Sequence, residues 1–169
     1  IAILDRRTPT DLVAWSRAWV EERGRPRIHL EVTTPAAGTT DLRLRSEDPL
    51  GRSLVWPQRL SLVLGGGDRV APVDVSLGDS GEAAVSHTSS TFPDGPRWVL
   101  PTGGGLGYGD FVLPTDMLTR LAEDIPSIVD PLTRGAAVVT LWESMLEGRI
   151  SSEAVRTSLL QSVAGERDE

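Results

Sequence analysis

Two kinds of hydrophobic spacing alternate along the chain, and they divide it into three stretches. Leu12, Trp15 and Trp19 recur at i, i+3 and i+7 behind Asp11, a residue suited to capping a helix N-terminus, and Gly24 and Pro26 close the segment. This spacing predicts one short helix. From Arg27 the period drops to two, with Ile28, Leu30 and Val32 on one face and His29, Glu31 and Thr33 on the other. The same alternation returns at Leu42 and Leu44, at Leu60, Leu62 and Leu64, and at Val73, Val75 and Leu77. Further strand-like runs cover 83–85, 98–100 and 108–113, and "PAAG", "DPLG", "GGGD", "GDSG", "PDGP" and "GGGLG" supply turns between runs. About seven short strands without intervening helices predict an antiparallel β-sandwich of immunoglobulin-like type. Beyond Pro114 the helical period resumes. A helix is expected from about Thr115 to Glu123, and Asp130 and Pro131 open a second one, with Leu132, Ala136, Val139, Trp142 and Leu146 as its buried stripe. A third starts near Ser151, and the acidic "GERDE" end reads as disordered. The expected class is mainly β with α: a sandwich preceded by one short helix and followed by a few helices.

Composition narrows the function classes. With 169 residues, 39% of them apolar, the chain can bury a core. Its net charge of −7 and lack of any basic run argue against nucleic acid as a partner. All 17 basic residues are arginine, and Lys and Asn are absent, a bias expected of a GC-rich bacterial source. Without Cys there are no disulfides and no thiolate metal sites. No apolar run approaches the roughly 20 residues of a membrane span, and no signal-peptide pattern is present. A cytoplasmic location is the expectation. The chain opens at Ile1 rather than Met and reads as cut from a longer protein.

The search for chemistry finds little. His29 and His87 are the two histidines, set in separate strand runs, and three or so spaced ligands are needed for catalytic zinc. His29 falls on the polar face of its strand. His87 borders "SHTSSTFPDG", where a serine and Asp94 could complete a hydrolytic triad, yet no nucleophile elbow accompanies them and such loops use Ser, Thr and Asp for turns. "GGGDR" and "TGGGLGYGD" match neither phosphate-binding glycine pattern and read as hairpin turns. Asp116, Glu123 and Asp124 are expected on solvated helix faces or caps. Trp56, Trp98 and above all Trp142 read as packing residues, while Trp15 and Trp19 read as buried contacts or as a sugar-stacking platform. No catalytic, cofactor or metal residue is assigned.

The order of elements nevertheless resembles a known family. "DLVAWSRAWVEERGRPRIHLEV" is similar to the Asp-Leu, Trp, Trp, Gly-x-Pro pattern that closes the catalytic domain of aminopeptidase N-like zinc metallopeptidases and leads into their β-sandwich. "WPQRLSLVLGG" resembles a sandwich strand of that family. "RWVLPTGGGLGYGDFVLP" resembles its Trp-Val-Leu-Pro-Asn and Gly-Tyr segment, with Thr102 where Asn is usual. "DPLTRGAAVVTLWESMLEGRIS" resembles the first long helix of its C-terminal domain, and Arg134 is retained there, a residue expected to tie sandwich to helices through charge-assisted bonds. The His-Glu-x-x-His zinc motif and the Gly-x-Met-Glu-Asn substrate motif, which lie upstream in the family, do not occur in this chain.

The resemblance implies three parts: residues 1–26 as a terminal helix left from a catalytic domain, 27–113 as the sandwich, and 114–169 as the start of a helical domain. It implies a non-catalytic structural fragment of a zinc-dependent aminopeptidase. Zinc and the peptide substrate would belong to the parent, and the partners would be the catalytic domain and the remaining helical domain of the same polypeptide. On this view Trp15 and Trp19 once packed against the missing catalytic domain and stay partly exposed, while Trp142 is buried in its own chain. The alternatives are an independent β-sandwich module that binds carbohydrate or protein, and a small hydrolase using His87.

Overall fold

The structure, a computed structural model, describes residues 11–165 together with Ile3, Arg7 and Thr8. The expected disordered end falls on 165–169, of which residues 166–169 lie outside the described residues. Seven strands form: β1 (Arg27–Ala36), β2 (Thr39–Glu47), β3 (Gln58–Gly66), β4 (Arg69–Leu77), β5 (Glu82–Thr88), β6 (Trp98–Leu100) and β7 (Asp110–Val112). They make a four-stranded sheet ordered β5-β2-β1-β7 and a three-stranded sheet ordered β4-β3-β6. Every pairing is antiparallel except β1 with β7, which run parallel with Ile28 opposite Phe111. The exception follows from connectivity, because β7 returns to the sheet through the long glycine-rich loop and not through a hairpin.

Period-two spacing decides which residues meet. Ile28, Leu30, Leu42 and Leu44 of the first sheet and Leu60, Leu62, Leu64, Val73, Val75 and Leu77 of the second are buried in one core. In β6 all three residues are buried, as is Val63 on the opposite phase of β3, so the second sheet is covered on both faces. The helices α2 (Thr115–Asp124), α3 (Pro131–Leu146) and α4 (Ser152–Gly165) supply this cover with Met117, Leu118, Leu121, Ala137, Leu141 and Val155. Gly65 shows how tightly β3 and β6 meet: a Cβ there would lie 2.0 Å from the ring of Trp98, so a side chain at this position would displace the indole.

The two end helices depart from expectation. α1 (Leu12–Ser16) is capped by Asp11, whose Oδ1 accepts from the amides of Val13 and Ala14 at 3.0 and 2.9 Å, but after one turn it widens into a π-helix over Arg17–Glu21. Ser16 and Ala18 become its buried residues, while Trp15 is 40% exposed and Trp19 half-buried. In α3 the expected core stripe faces outward except at Ala136, which packs against the core: Leu132 and Val139 are each 58% exposed, Trp142 50% and Leu146 68%. The buried side is built from Thr133, Ala137, Thr140, Leu141 and Ser144. Trp142 is therefore not a core residue. Small side chains let α3 lie close against the sandwich, where a larger row would hold it off.

Candidate functional site

Three clusters join the helices to the sandwich, and none was legible as a motif. Asp124, at the end of α2, is buried; it accepts from the Trp98 indole at 3.1 Å, from the Gly67 amide at 3.0 Å and from Arg97 Nε at 3.0 Å. It is not the solvated residue expected from its helix position. Asp110, also buried, pairs with Arg27 at 2.9 Å and with Arg149 beyond the end of α3. Burial pushes its carboxyl upward, but the bonds from Arg149 and Arg27 prevail and hold it below the ordinary carboxylate value. Thr102 and Thr140 share a hydroxyl contact at 3.3 Å, and Thr133 donates to the Gly103 carbonyl at 3.3 Å. Arg134 donates to the carbonyls of Ile128 and Val129 at 2.8 and 3.2 Å. Those two bonds stay within the helical region, while Arg97 and Arg149 make charged ties between sandwich and helices.

The connection from α1 to β1 is fixed at every residue. Glu22 meets Arg17 and Arg52, the Arg23 carbonyl accepts from Arg52 at 2.8 Å, and the Gly24 carbonyl accepts from the Tyr108 hydroxyl at 3.1 Å. Arg25 reaches Glu143 of α3 at 2.7 Å, and the Pro26 carbonyl accepts from the Asp110 amide at 2.8 Å. Arg52 is in turn held by Asp48, whose carboxyl is driven well below its usual range by Arg52 and by the amides of Leu50, Arg52 and Leu54. With Arg27 on Asp110, six consecutive positions are bonded to four different parts of the molecule and make a strut, not a hinge. Beside it Trp15 stacks on Trp19 with ring centroids 5.9 Å apart, and Trp19 lies 5.3 Å from Tyr108.

A cleft of about 400 Å³ opens where strut, glycine-rich loop and α3 meet, with Arg25 and Glu143 at its polar side and Phe111, Leu132, Ala136 and Val139 among its apolar lining. It contains no nucleophile paired with a base. The two histidines lie outside its lining, on the four-stranded sheet. His29 faces out from β1 and meets Glu47 at 3.2 Å, whereas His87, next to last in β5, lies opposite Thr40 on the inner-facing phase, with β2 between them. Opposite faces of one sheet cannot share a ligand. Among the described residues no group of three or more His, Cys, Asp or Glu could hold a metal ion, so these residues do not fit the zinc of the resembled family. In the loop after β5, Ser89 accepts from the Thr91 amide at 3.1 Å, and its own amide donates to Gly38. That is turn chemistry, and it leaves the triad with His87 unassembled.

No protein-family model matches the chain. Aligned over 180 residues that take in 99% of it, the chain is 22% identical to an aminopeptidase N of Streptomyces lividans, of which the matched part is 21%. The chain thus spans about a fifth of that relative's length, and the similarity is that of a distant relationship.

Proposed function

We propose that this chain is a non-catalytic, architectural part of a larger zinc-dependent peptidase of the aminopeptidase N type, which removes N-terminal residues from peptides. One observation carries the reading: the match to aminopeptidase N runs through 99% of the chain yet occupies only 21% of that protein. That coverage supports reading the chain as a part of such an enzyme, and its described residues offer no zinc site. Residues 1–26 would end the catalytic domain, 27–113 form the sandwich and 114–169 begin the helical domain. In this role the strut at residues 22–27 fixes the angle at which a preceding domain meets the sandwich and α3. The exposed Trp15 would be covered by that domain, and the exposed Leu160 and Val163 of α4 by later helices.

The chain by itself should not hydrolyse amino-acid anilides, with or without added zinc, since its described residues give zinc no ligand set from which to polarise the scissile carbonyl. Zinc-dependent turnover that co-purifies with the chain would overturn the reading. The encoding frame, read upstream, should supply a His-Glu-x-x-His segment; a frame without one favours the independent binding module. That second reading has one support, the exposed Trp15 stacked on Trp19 beside a groove lined by Asp11, Arg17 and Asp79. Tryptophan fluorescence titrated with oligosaccharides tests it, with Trp15→Gln as control.

A further inference from the structure

The outward stripe of α3 is self-complementary about one residue. Leu132 and Leu146 lie seven residues to either side of Val139, so an antiparallel copy of α3 centred there sets Leu132 against Leu146 and Val139 against its own counterpart. Trp142 stands three residues after the centre, and Gly135 four before it, on the same side of the stripe at 100° per residue. The two-fold operation therefore lays each Trp142 over the Gly135 of the other copy. Gly135 has no explanation within its own chain. It sits inside a helix, where glycine is unfavourable, and a Cβ built on it meets nothing within 4 Å. It lines both the cleft of about 400 Å³ and a groove of about 300 Å³ between α3 and α4, forming the low saddle between them. A saddle bare of side chain and a half-exposed indole on the same stripe are a hole and its knob.

We propose that two copies of this chain associate through α3 as a two-fold symmetric, antiparallel helix pair, with Trp142 of each copy seated on Gly135 of the other. The four stripe residues leave roughly 400 Å² of apolar surface open, at about 100 Å² for each side chain half or more in water. The walls of cleft and groove add to this as the indole enters. Such an area, against about 800 Å² per partner for a standard interface, makes the expected association weak and concentration-dependent. The pairing is centred on α3, with the α4 wall of the groove at its margin. It leaves α1 and Leu160 of α4 to the rest of a larger protein, and its tests read α3 residues, so it holds or fails independently of that reading.

Sedimentation velocity of the full chain over a range of concentrations should show a monomer passing to a dimer and no larger species. Trp142→Ala should weaken association by about tenfold or more, and Gly135→Gln should abolish it over the concentrations at which the unaltered chain dimerises. Gly135→Gln is the sharper variant: it fills the saddle with a better helix former, so its melting temperature at dilution should be no lower than that of the unaltered chain while its dimer is lost. Because the chain has no Cys, Val139→Cys gives a single thiol at the dyad, which should cross-link to its counterpart on mild oxidation, while Val163→Cys on the exposed end of α4 should not. A monomer at every concentration overturns the proposal. So does a dimer that survives Gly135→Gln, or cross-linking at Val163 in preference to Val139.

Discussion

The sandwich and helix α3 treat their apolar residues in opposite ways. In β3 the alternating Leu60, Leu62 and Leu64 all face inward and are fully buried. In α3 the periodic Leu132, Val139, Trp142 and Leu146 face outward, and Thr133, Thr140 and Ser144 lie beneath. A strand has only two faces, and the one against the other sheet is the only dry one available. A helix can turn about its axis, and α3 turns to place hydroxyls where the glycine-rich loop offers a carbonyl and another hydroxyl, at Gly103 and Thr102. An apolar helical stripe thus shows that something covers it, but does not show that the same chain does.

The sharpest contrast between these regions is between their tryptophans. Trp98→Ala should be the most damaging change, at about 3 to 5 kcal/mol in a urea melt, since it empties a fully buried site. It also removes one donor to Asp124. Asp124→Ala should cost about 2 to 3 kcal/mol, because the Trp98 indole and the Gly67 amide are left without their acceptor. A double-mutant cycle with Trp98→Phe should return a coupling of about 1 kcal/mol, and zero coupling would mean that the indole bond does not help hold α2 to the sandwich.

Acid tests the charged joints. The carboxyls of Asp48 and Asp110 are both held below their unfolded values, so each contributes stability that is present above the unfolded pKa and is lost as pH falls through the folded one. The melting temperature should be level from about pH 7 to 5 and decline below about pH 4. Asp48→Asn should lower the plateau and flatten part of the decline. The smallest effect belongs to the outward stripe: Trp142→Ala, measured at a dilution where the chain is monomeric, should cost less than about 1 kcal/mol. A loss comparable to that of Trp98→Ala would mean that α3 buries this face within one copy.

Most of the sandwich was legible because its code is short-range. Every period-two run, from Ile28 to Phe111, became a strand, and four of the six turn signals fell between strands, while "PAAG" and "GGGD" begin within the ends of β1 and β3. The joints were not legible. Asp124 looks like any acid near a helix end, and its burial depends on Arg97, Trp98 and Gly67 arriving from two other elements. Asp110 likewise gains meaning from Arg27 and Arg149, far away in the chain. Arg134 carried the stronger sequence signal, yet its guanidinium bonds carbonyls five and six residues back. The π-helix at Arg17–Glu21 has no period of its own and was hidden within an α-helical pattern.

By itself the sequence determined the class of fold, the number and order of its elements and the scarcity of histidine, because hydrophobic period, turn residues and composition act locally or not at all through space. It determined too that Leu132, Val139, Trp142 and Leu146 share one helical face. Tertiary structure alone decided which way that face points. The choice rests on a sum over distant partners: the room left by Gly103, the hydroxyl of Thr102, the hold of Arg25 on Glu143 and of Asp110 on Arg149. Each is worth about 1 kcal/mol or somewhat more, and together with the close packing that small residues permit, they turn the helix outward.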